Sequence, residues 1–412
     1  MIPKLRFPEF TDNWVERKLG DVMSITSAAR VHKEEWSKSG VPFFRSSDVV
    51  SAFKGTKNNK AFIPFELYES LTKKIGRVKK GDLLVTGGGS IGVPYLIENN
   101  DLLYFKDADL LWLKSNNKIS GYFLYTFFST PLFRKYLQSI THVGTIAHYT
   151  VIQAKNTPCR LPQSSEQQKI ASFLRVVDQK INHLTKKKEA LETYKKGLMQ
   201  KIFSQEVRFK RKDGTDYPEW SFYCIAEMGE FFNGLTGKNS SHFGHGDSQY
   251  VQYSQVFRNS YINLAECDNV DVEDSEKQNA LKVGDALFTT SSEVANEVAF
   301  ASILLNKPEI DTYLNSFCFG LRLNSLLAPS FAQYLFRTTI FRKAVYPLAQ
   351  GSTRYNVSKK EVGKVKLLIP SVEEQNHIAK SFKILDSKIE QLILLKKKTE
   401  QLKKGLLQQM FV

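Results

Sequence analysis

Cysteine is scarce in this chain, and long apolar runs are absent. Four cysteines stand among 412 residues without CxxC spacing, namely Cys159, Cys224, Cys267 and Cys318. This pattern predicts reduced thiols rather than a disulfide framework or a zinc cage. No apolar run approaches the ~18 residues of a membrane span, and the first residues, MIPKLRFPEF, lack the apolar core of a signal peptide. We therefore expect a cytoplasmic protein.

Complete catalytic motifs are also missing. The chain has no Walker P-loop, no serine nucleophile elbow and no Asn/Asp-Pro-Pro-Tyr signature of an amino-group methyltransferase. Residues 87–92, GGGSIG, formally match a GxGxxG nucleotide motif, but Pro94 opposes the helix that such a motif must open. His242 and His245 lie in a Gly/Ser-rich loop without an HExxH pattern, so no metal site is expected. The sequence predicts a tight loop at GGGSIG and a protein that is not itself an enzyme.

Basic residues outnumber acidic ones, 58 to 42, which gives a formal charge of +16 and a pI near 9.4. This excess favours a polyanionic partner, with nucleic acid as the first candidate and a membrane surface as the second. Within residues 186–212, ten Lys or Arg stand against three acids. Such a run is commonly a solvated helix face, but it can also follow a phosphate backbone.

A long internal repeat organises the chain. Residues 161–204 read LPQSSEQQKIASFLRVVDQKINHLTKKKEALETYKKGLMQKIFS, and residues 369–412 read IPSVEEQNHIAKSFKILDSKIEQLILLKKKTEQLKKGLLQQMFV. The copies align without a gap at an offset of 208 residues, so their EQ and KKGL segments coincide. Each copy begins with a proline, serines suited to an N-cap, and acids or glutamines in the first turn, as a helix does.

Apolar residues step by three and four along both copies, which predicts two long helices with a narrow hydrophobic stripe. A helix of roughly 38 residues reaches about 57 Å, longer than a compact domain needs for its own core. We predict that the helices pair as an antiparallel coiled coil; the alternative is two helices from separate bundles. The residues expected to pair are Ile170, Leu174, Val177, Ile181, Leu184, Ile378, Phe382, Leu385, Ile389 and Leu392.

Polar residues interrupt this stripe at the same places in both copies, where they cost stability but can fix the register. They are Lys188, Lys195, Lys396 and Lys403. Gly197 and Gly405 stand near the helix ends, where each costs about 1 kcal/mol relative to alanine. Close helix contact or a local break would explain these glycines.

The segments between the helices also repeat. LKVGDALFTTSSEV at 281–294 parallels VKKGDLLVTGGGSI at 78–91, and YPEW at 217–220 resembles FPEF at 7–10. Short strands, turn-rich loops and an aromatic segment at helical spacing predict a mixed domain in each half. The predicted fold class is α+β, a tandem duplication of two mixed α/β domains that are each followed by a long helix. The predicted boundaries are 1–160 for the first domain, 161–207 for its helix, 208–368 for the second domain and 369–412 for its helix.

The two halves differ most in their polar loops, and loops on a fixed scaffold are where binding residues concentrate. Recognition of base edges would need Arg, Asn, Gln, Ser and aromatic side chains on such loops. Candidates for DNA contact in the first half are Arg45, Ser46, Ser47, Ser90, His148 and Tyr149. The candidates in the second half are Gln252, Tyr253, Gln255, Ser291, Ser292, Arg354, Tyr355 and Asn356.

The order of segments in this chain resembles that of the specificity subunits of type I restriction-modification systems. It consists of a variable domain, a P-x-x-x-E-Q-x-x-I-A helix start and a long helix ending in KKGL, and then the same three again. PQSSEQQKIA, PSVEEQNHIA, the two KKGL segments and the Gly-Asp pairs at 81–82 and 284–285 carry the resemblance over essentially the full length. It implies a non-catalytic DNA-binding subunit with two target-recognition domains. Each domain would read one half of a split, asymmetric DNA site, and the helices would set the unread spacer. The loop GTIAHYT departs from the GSTRYN type of ending seen in the second half.

The resemblance also implies the partners. They are double-stranded DNA, two modification subunits that methylate adenine N6, and restriction subunits that translocate and cut DNA, with no membrane involved. No cofactor or metal is implied on this chain; S-adenosylmethionine, magnesium and ATP are expected on the partner subunits. Two other hypotheses stay open, a solitary nucleic-acid methyltransferase or nuclease, and a scaffold whose helices bind only proteins.

Overall fold

The chain folds as two units, each of which takes part of both long helices. The computed structural model describes residues 2–107, 109–116, 118–140 and 148–412. Unit 1 comprises Met1–Lys186 with Ile393–Val412, and unit 2 comprises Lys187–Leu392. The linear boundaries at 160, 207 and 368 stay predictions, since these units are defined by contacts and cut through both helices.

The described residues of unit 1 form three small sheets. Its strands are β1 (Val15–Lys18), β2 (Ser24–Thr26), β3 (Val41–Phe44), β4 (Ala61–Ile63), β5 (Leu83–Thr86), β6 (Pro94–Leu96), β7 (Tyr104–Phe105), β8 (Leu110–Lys114) and β9 (Pro158–Leu161). Its helices are α1 (Leu19–Val22), α2 (Ser46–Lys54), α3 (Phe65–Ile75), α4 (Gly121–Phe128), α5 (Pro131–Ile140), α6 (Val151–Asn156) and the first part of α7 (Ser164–Phe203). The sheet orders are β2-β8-β5-β6, β4-β3-β7 and β1-β9. Only the β3–β7 pairing is parallel among these.

Unit 2 repeats this topology. Its strands are β10 (Ser221–Cys224), β11 (Gly229–Asn233), β12 (Phe243–Val251), β13 (Asp268–Val270), β14 (Ala286–Thr289), β15 (Ser291–Ser292), β16 (Ala301–Ile303), β17 (Thr312–Leu314), β18 (Cys318–Leu323), β19 (Tyr355–Asn356) and β20 (Lys366–Ile369). Its helices are α8 (Tyr253–Arg258), α9 (Pro329–Leu335), α10 (Thr339–Val345), α11 (Lys359–Lys364) and part of α12 (Val372–Met410). The orders β11-β18-β14-β16, β13-β12-β17 and β10-β20 match those of unit 1, including the parallel β12–β17 pair, and β15-β19 is added. The predicted α+β tandem duplication is confirmed.

One of the two central strands of each four-stranded sheet is buried along its whole length. All four residues of β5, LLVT, and of β14, ALFT, are buried. A short continuous apolar run of this kind suits a strand covered on both faces. Aromatic side chains fill the core beside them: Phe128 and Phe133 pack edge to face at 4.5 Å in unit 1, and Phe288 stacks on Phe319 at 5.3 Å in unit 2.

The helices α7 and α12 run for 40 and 39 residues, and they pair antiparallel within each unit. In unit 1, Ile170 and Leu174 share a hydrophobic cluster with Leu406 and Met410. In unit 2, Ile202 and Phe203 share one with Ile378 and Phe382. The predicted antiparallel pair is confirmed, and all ten residues predicted to pair are buried or half-buried. The domain cores also cover the first three of these residues on each helix, because the clusters that contain them include residues of the sheets and short helices.

One ion pair in each unit joins the two long helices. Lys403 Nζ lies 2.5 Å from Asp178 Oδ1 in unit 1, and Lys195 Nζ lies 2.5 Å from Asp386 Oδ1 in unit 2. These are equivalent residues at the offset of 208. Of the four lysines that interrupt the stripe, Lys195 and Lys403 therefore meet an acid on the opposite helix, which favours one register over its neighbours. Lys188 and Lys396 pair instead with Glu192 and Glu400 on their own helices.

A tyrosine of the domain completes each of these ion pairs. Tyr122 OH donates to Asp178 at 2.5 Å, and Tyr334 OH donates to Asp386 at 2.8 Å. Burial, and then the hydrogen bond to the aspartate, raises the pKa of both phenols. Each aspartate thus ties a domain to both long helices.

The glycines of the KKGL segments mark neither a close contact between helices nor a break in a helix. Both helices continue unbroken through Gly197 and Gly405. A Cβ added at either position would meet no heavy atom within 4 Å beyond its chain neighbours and the nearby backbone of its own helix. The prediction of a close helix contact or a local break is therefore wrong within the chain itself.

The GGGSIG segment is a hairpin loop, as predicted. It joins β5 to β6, which pair antiparallel, so no helix opens at the glycines. Thr86 holds the loop, since its hydroxyl accepts from Val93 N at 2.8 Å and its carbonyl from Gly92 N at 2.7 Å. None of the helices in the described ranges combines the length and apolar content needed to cross a membrane.

Candidate nucleic-acid interface

Three loop segments of unit 2 meet at one edge of the domain. They are the start of α8, the strand β15 and the strand β19. Tyr253 OH donates to the carbonyl of Ser291 at 2.5 Å, and β15 pairs with β19 so that Ser291 faces Asn356 and Ser292 faces Tyr355. The structure therefore brings together residues that stand about 100 positions apart in sequence.

These segments surround an open cleft of about 360 Å³. Its lining combines aromatic rings, two carboxylates, hydroxyls and one guanidinium: Tyr253, Phe257, Ser291, Ser292, Glu293, Val294, Glu297, Phe317 and Arg354. Burial raises the pKa of Tyr253, so its hydroxyl stays a neutral donor. Ser292 Oγ donates to Glu297 Oε2 at 3.1 Å, which fixes one of the carboxylates.

Two half-buried arginines hold the loops around the cleft. Arg342 donates to the carbonyls of Asn296 at 2.8 Å, Val298 at 2.5 Å and Ala299 at 2.9 Å. Arg337 donates to the carbonyls of Val256, Phe257, Asn259 and Ala301. Burial lowers the pKa of both guanidinium groups to about 10, which still leaves them charged near neutral pH. Their donors are used inside the protein, so they position loops rather than contact a ligand.

The equivalent segments of unit 1 also meet, through two backbone carbonyls. Asp109 O accepts from Ser46 Oγ at 2.9 Å and from Gly87 N at 2.8 Å, and Gly87 O in turn accepts from Tyr149 N at 2.8 Å. The start of α2, the GGGSIG loop and the segment at 148–149 are thus adjacent. Residues 144–147 of the GTIAHYT loop lie outside the described residues.

Two predicted contact residues are corrected to structural roles. Tyr149 is 1% exposed, and its hydroxyl lies 2.6 Å from Thr157 Oγ1. Gln255 is 4% exposed, and its Oε1 accepts from Asn263 N at 3.2 Å. Their polar groups are satisfied inside the fold, so neither side chain is available to a base edge. Sequence cannot distinguish a buried polar group that is paired in this way from an exposed one.

Arg45 is also engaged within the protein. Its Nε donates to Asp48 Oδ2 at 2.8 Å, and its Nη2 donates to the carbonyl of Asn59 at 2.5 Å. The hydrogen bond to Asp48 raises the pKa of Arg45. Its fixed guanidinium keeps only part of its donor edge for a ligand.

The other candidates reach the surface to different degrees. Ser47, Ser90, His148, Arg354 and Asn356 are exposed. Ser46, Gln252, Tyr253 and Tyr355 are half-buried, whereas Ser291 and Ser292 are buried but line the cleft. Glu293, Glu297 and Phe317 also line the cleft, although they were not among the residues predicted from the sequence. The exposure of Phe317, 56%, is a signal that only the structure carries.

The described residues contain no group of three His, Cys, Asp or Glu side chains placed to hold a metal ion. The cleft offers hydrogen-bond donors, acceptors and ring faces, which are groups that can bind a ligand.

Comparison with known proteins assigns the family. The family model described as "Type I restriction modification DNA specificity domain" matches residues 11–193 and again residues 217–404. A putative type I restriction enzyme MjaX specificity subunit from Methanocaldococcus jannaschii is 26% identical over 426 residues, covering 98% of this chain and 93% of the relative. The type I restriction enzyme MjaVIII specificity subunit of the same organism is 26% identical over 350 residues, covering 82% and 79%.

Solved structures show the same fold. The crystal structure of a type I restriction-modification S subunit from M. genitalium has a TM-score of 0.56 at 15% identity, covering 100% of this chain and 99% of that one. A chain from a study of complex assembly and conformational transition of the type I R-M system has a TM-score of 0.57 at 15% identity, covering 98% of both chains. With two family matches that together span most of its length, the chain belongs to the specificity subunits of type I restriction-modification systems.

Proposed function

We propose that each target-recognition domain of this chain reads one half of a bipartite, asymmetric DNA site. The observation that carries the proposal is the convergence of the same three segments on the same topology in both units, with different side chains on them. In unit 1 they present Ser46, the GGGSIG loop and His148; in unit 2 they present Tyr253, Ser291 and Arg354. Two domains that share a topology but present different side chains are suited to bind two different half-sites.

The long helices set the spacer between the half-sites in this proposal. This role is supported by the fixed register of the two helices within each unit, where Lys403 pairs with Asp178 and Lys195 pairs with Asp386. A helix pair with a defined register is a spacer of defined length, at about 1.5 Å per residue.

Two modification subunits bind the helices, one for each copy of the repeat. Exposed apolar residues support this stoichiometry, because they recur at the offset of 208. Val176 and Ile384 are 63% and 49% exposed, and Tyr194 and Leu402 are 59% and 58% exposed. Val176 and Tyr194 are 18 residues apart, which is five helical turns, so they share one face of α7. Apolar positions left open on both copies suit two copies of one partner.

Chemistry belongs to the partners in this assembly. The modification subunits would use S-adenosylmethionine to methylate adenine N6, acting on a base flipped out of the duplex. Restriction subunits would use ATP and magnesium to translocate and cut. This chain would supply double-stranded DNA recognition, to which its charge of +16 contributes.

The test is single-molecule mapping of N6-methyladenine in a methylation-free host that expresses this chain with its cognate modification subunit. We expect one split, asymmetric motif that appears only when both proteins are present. Methylation without this chain, or a motif with a single uninterrupted half, would contradict the proposal. Purified chain that methylates or cuts DNA alone would instead favour a solitary enzyme.

A further inference from the structure

Arg354 stands on a loop with a fixed backbone beside the cleft of unit 2. Gln350 N donates to Asn356 O at 2.9 Å, and Asn356 N donates to Gln350 O at 2.8 Å, which closes the loop at its base. Gly351 has φ +126°, and a Cβ there would lie 2.2 Å from Arg354 O. Only glycine fits such a position. The backbone of Arg354 is therefore held in one place.

The guanidinium of Arg354 lies near an exposed aromatic ring. Its Cζ lies 5.9 Å from the centroid of the exposed Phe317 ring. A cation–π contact of this kind attracts the guanidinium to the ring and leaves its N–H groups free to donate. Among the described residues no acid forms an ion pair with Arg354, whereas Arg322 is paired with Asp285 at 3.0 Å.

The charges around Arg354 argue against a phosphate as its ligand. Glu293 and Glu297 line the same cleft, and Glu293 is exposed. Two carboxylates repel a phosphate but accept hydrogen bonds from the amino group of a base. A ligand that suits this cleft carries acceptors and an amino donor side by side, as the major-groove edge of a G·C pair does.

We infer that Arg354 reads a guanine in the half-site bound by the second domain, an inference that rests on the proposed function. Its guanidinium donates to guanine O6 and N7, the commonest specific contact of arginine with DNA. Glu293 accepts from the amino group of the paired cytosine. Arg354 is thus a specificity-determining residue, and it contributes to the choice of base more than to general affinity.

The experiment compares Arg354→Gln with Arg258→Gln, each co-expressed with the cognate modification subunit in a methylation-free host. Arg258 is an exposed arginine of the same unit that does not line the cleft, so its variant removes the same charge. The wild type should require guanine at a defined position of one half-site. Arg354→Gln should reduce the preference for that guanine by roughly tenfold or more, leaving the other half-site unchanged. Arg258→Gln should keep the complete motif.

Several outcomes would overturn the inference. A wild-type motif without guanine in either half-site does so before any variant is made. A uniform fall in methylation with an unchanged motif would make Arg354 a phosphate contact. If Arg354→Gln fails to co-purify, Arg354→Lys, which keeps donors for guanine, must retain the motif. Absence of any split motif in the wild type would instead reject the proposed function, and the two failures are therefore distinguishable.

Discussion

At the scale of single residues, the EQ pair at the start of each long helix anchors a domain to that helix. Glu166 is 1% exposed and accepts from Arg6 Nε at 2.7 Å, and Glu374 is 1% exposed and accepts from Arg208 Nη2 at 3.0 Å. A tryptophan indole donates to each carboxylate, from Trp14 at 3.3 Å and from Trp220 at 3.1 Å. These paired, buried charges explain why the motif returns in both copies.

The neighbouring glutamine joins each long helix to the residue that directly precedes a short helix of the domain, α4 in unit 1 and α9 in unit 2. Gln167 Oε1 accepts from Ser120 N at 3.1 Å, and Gln375 Oε1 accepts from Ala328 N at 2.7 Å. Each glutamine Nε2 also donates to the carbonyl of the proline that precedes its helix, at 3.0 Å. The two glutamines satisfy the same backbone groups in each unit.

Glu374→Gln should lower the free energy of unfolding of unit 2 by about 1–3 kcal/mol. The amide still accepts from the Trp220 indole, but it removes the charge that faces Arg208. The matched control is Glu373→Gln, whose carboxylate is 61% exposed and pairs with Arg211 at the surface; it should change the value by less than about 0.5 kcal/mol. Urea unfolding measures both. Equal effects of the two variants would show that burial of Glu374 does not matter.

The sequence showed that the EQ motif repeats, but it did not show which contacts the motif makes. The recurrence of EQ at an offset of 208 identified the two helix starts, yet nothing in the letters connects Glu166 with Arg6, 160 positions away. The same limit applies to Tyr149 and Gln255, which sit in loops that do converge but turn inward. Residue type and loop position predict which segments form a surface, whereas burial decides which side chains belong to it.

At the scale of elements, apolar periodicity predicted both long helices and their pairing because the stripe repeats over many turns. The strands are short, and several have two or three residues, so periodicity gives little information about where each of them begins and ends. The open surroundings of Gly197 and Gly405 could not be predicted, because a pattern of residues along one helix does not show what lies beside it.

Val176→Asp should remove one of two modification subunits, and Val176→Asp with Ile384→Asp should remove both. A charge on an exposed apolar position disrupts a docking surface but costs the free chain little stability. Native mass spectrometry of the co-purified complex counts the copies. Asn182→Asp adds the same charge about 120° around α7 and should leave the stoichiometry intact. If the single variant retained both copies, these positions would not contact the partner.

At the scale of the whole molecule, shortening both helices together should shorten the spacer of the DNA site. Deleting residues 183–189 and 391–397 removes about two turns from each helix and about 10 Å of length while preserving the heptad phase. At about 3.4 Å per base pair, the spacer should lose about 3 base pairs, and both half-sites should stay the same. Mapping of N6-methyladenine gives the motif. The matched control deletes only 183–189, which breaks the register and should abolish methylation. An unchanged spacer in the double deletion would show that the helices do not set the spacer length.

Unit 1 is formed by two separate segments of the chain, and this affects its folding during synthesis on the ribosome. Phe411 packs against Trp14 at 6.1 Å and Phe123 at 5.2 Å, and Leu5 N donates to Gln409 O at 3.0 Å. A ribosome that has made residue 186 needs about 10–40 s to reach residue 393. Unit 2 meanwhile holds all of its residues in one stretch. A nonsense codon that removes residues 393–412 would therefore damage the first recognition domain, at the far end of the gene, and leave every residue of unit 2 encoded.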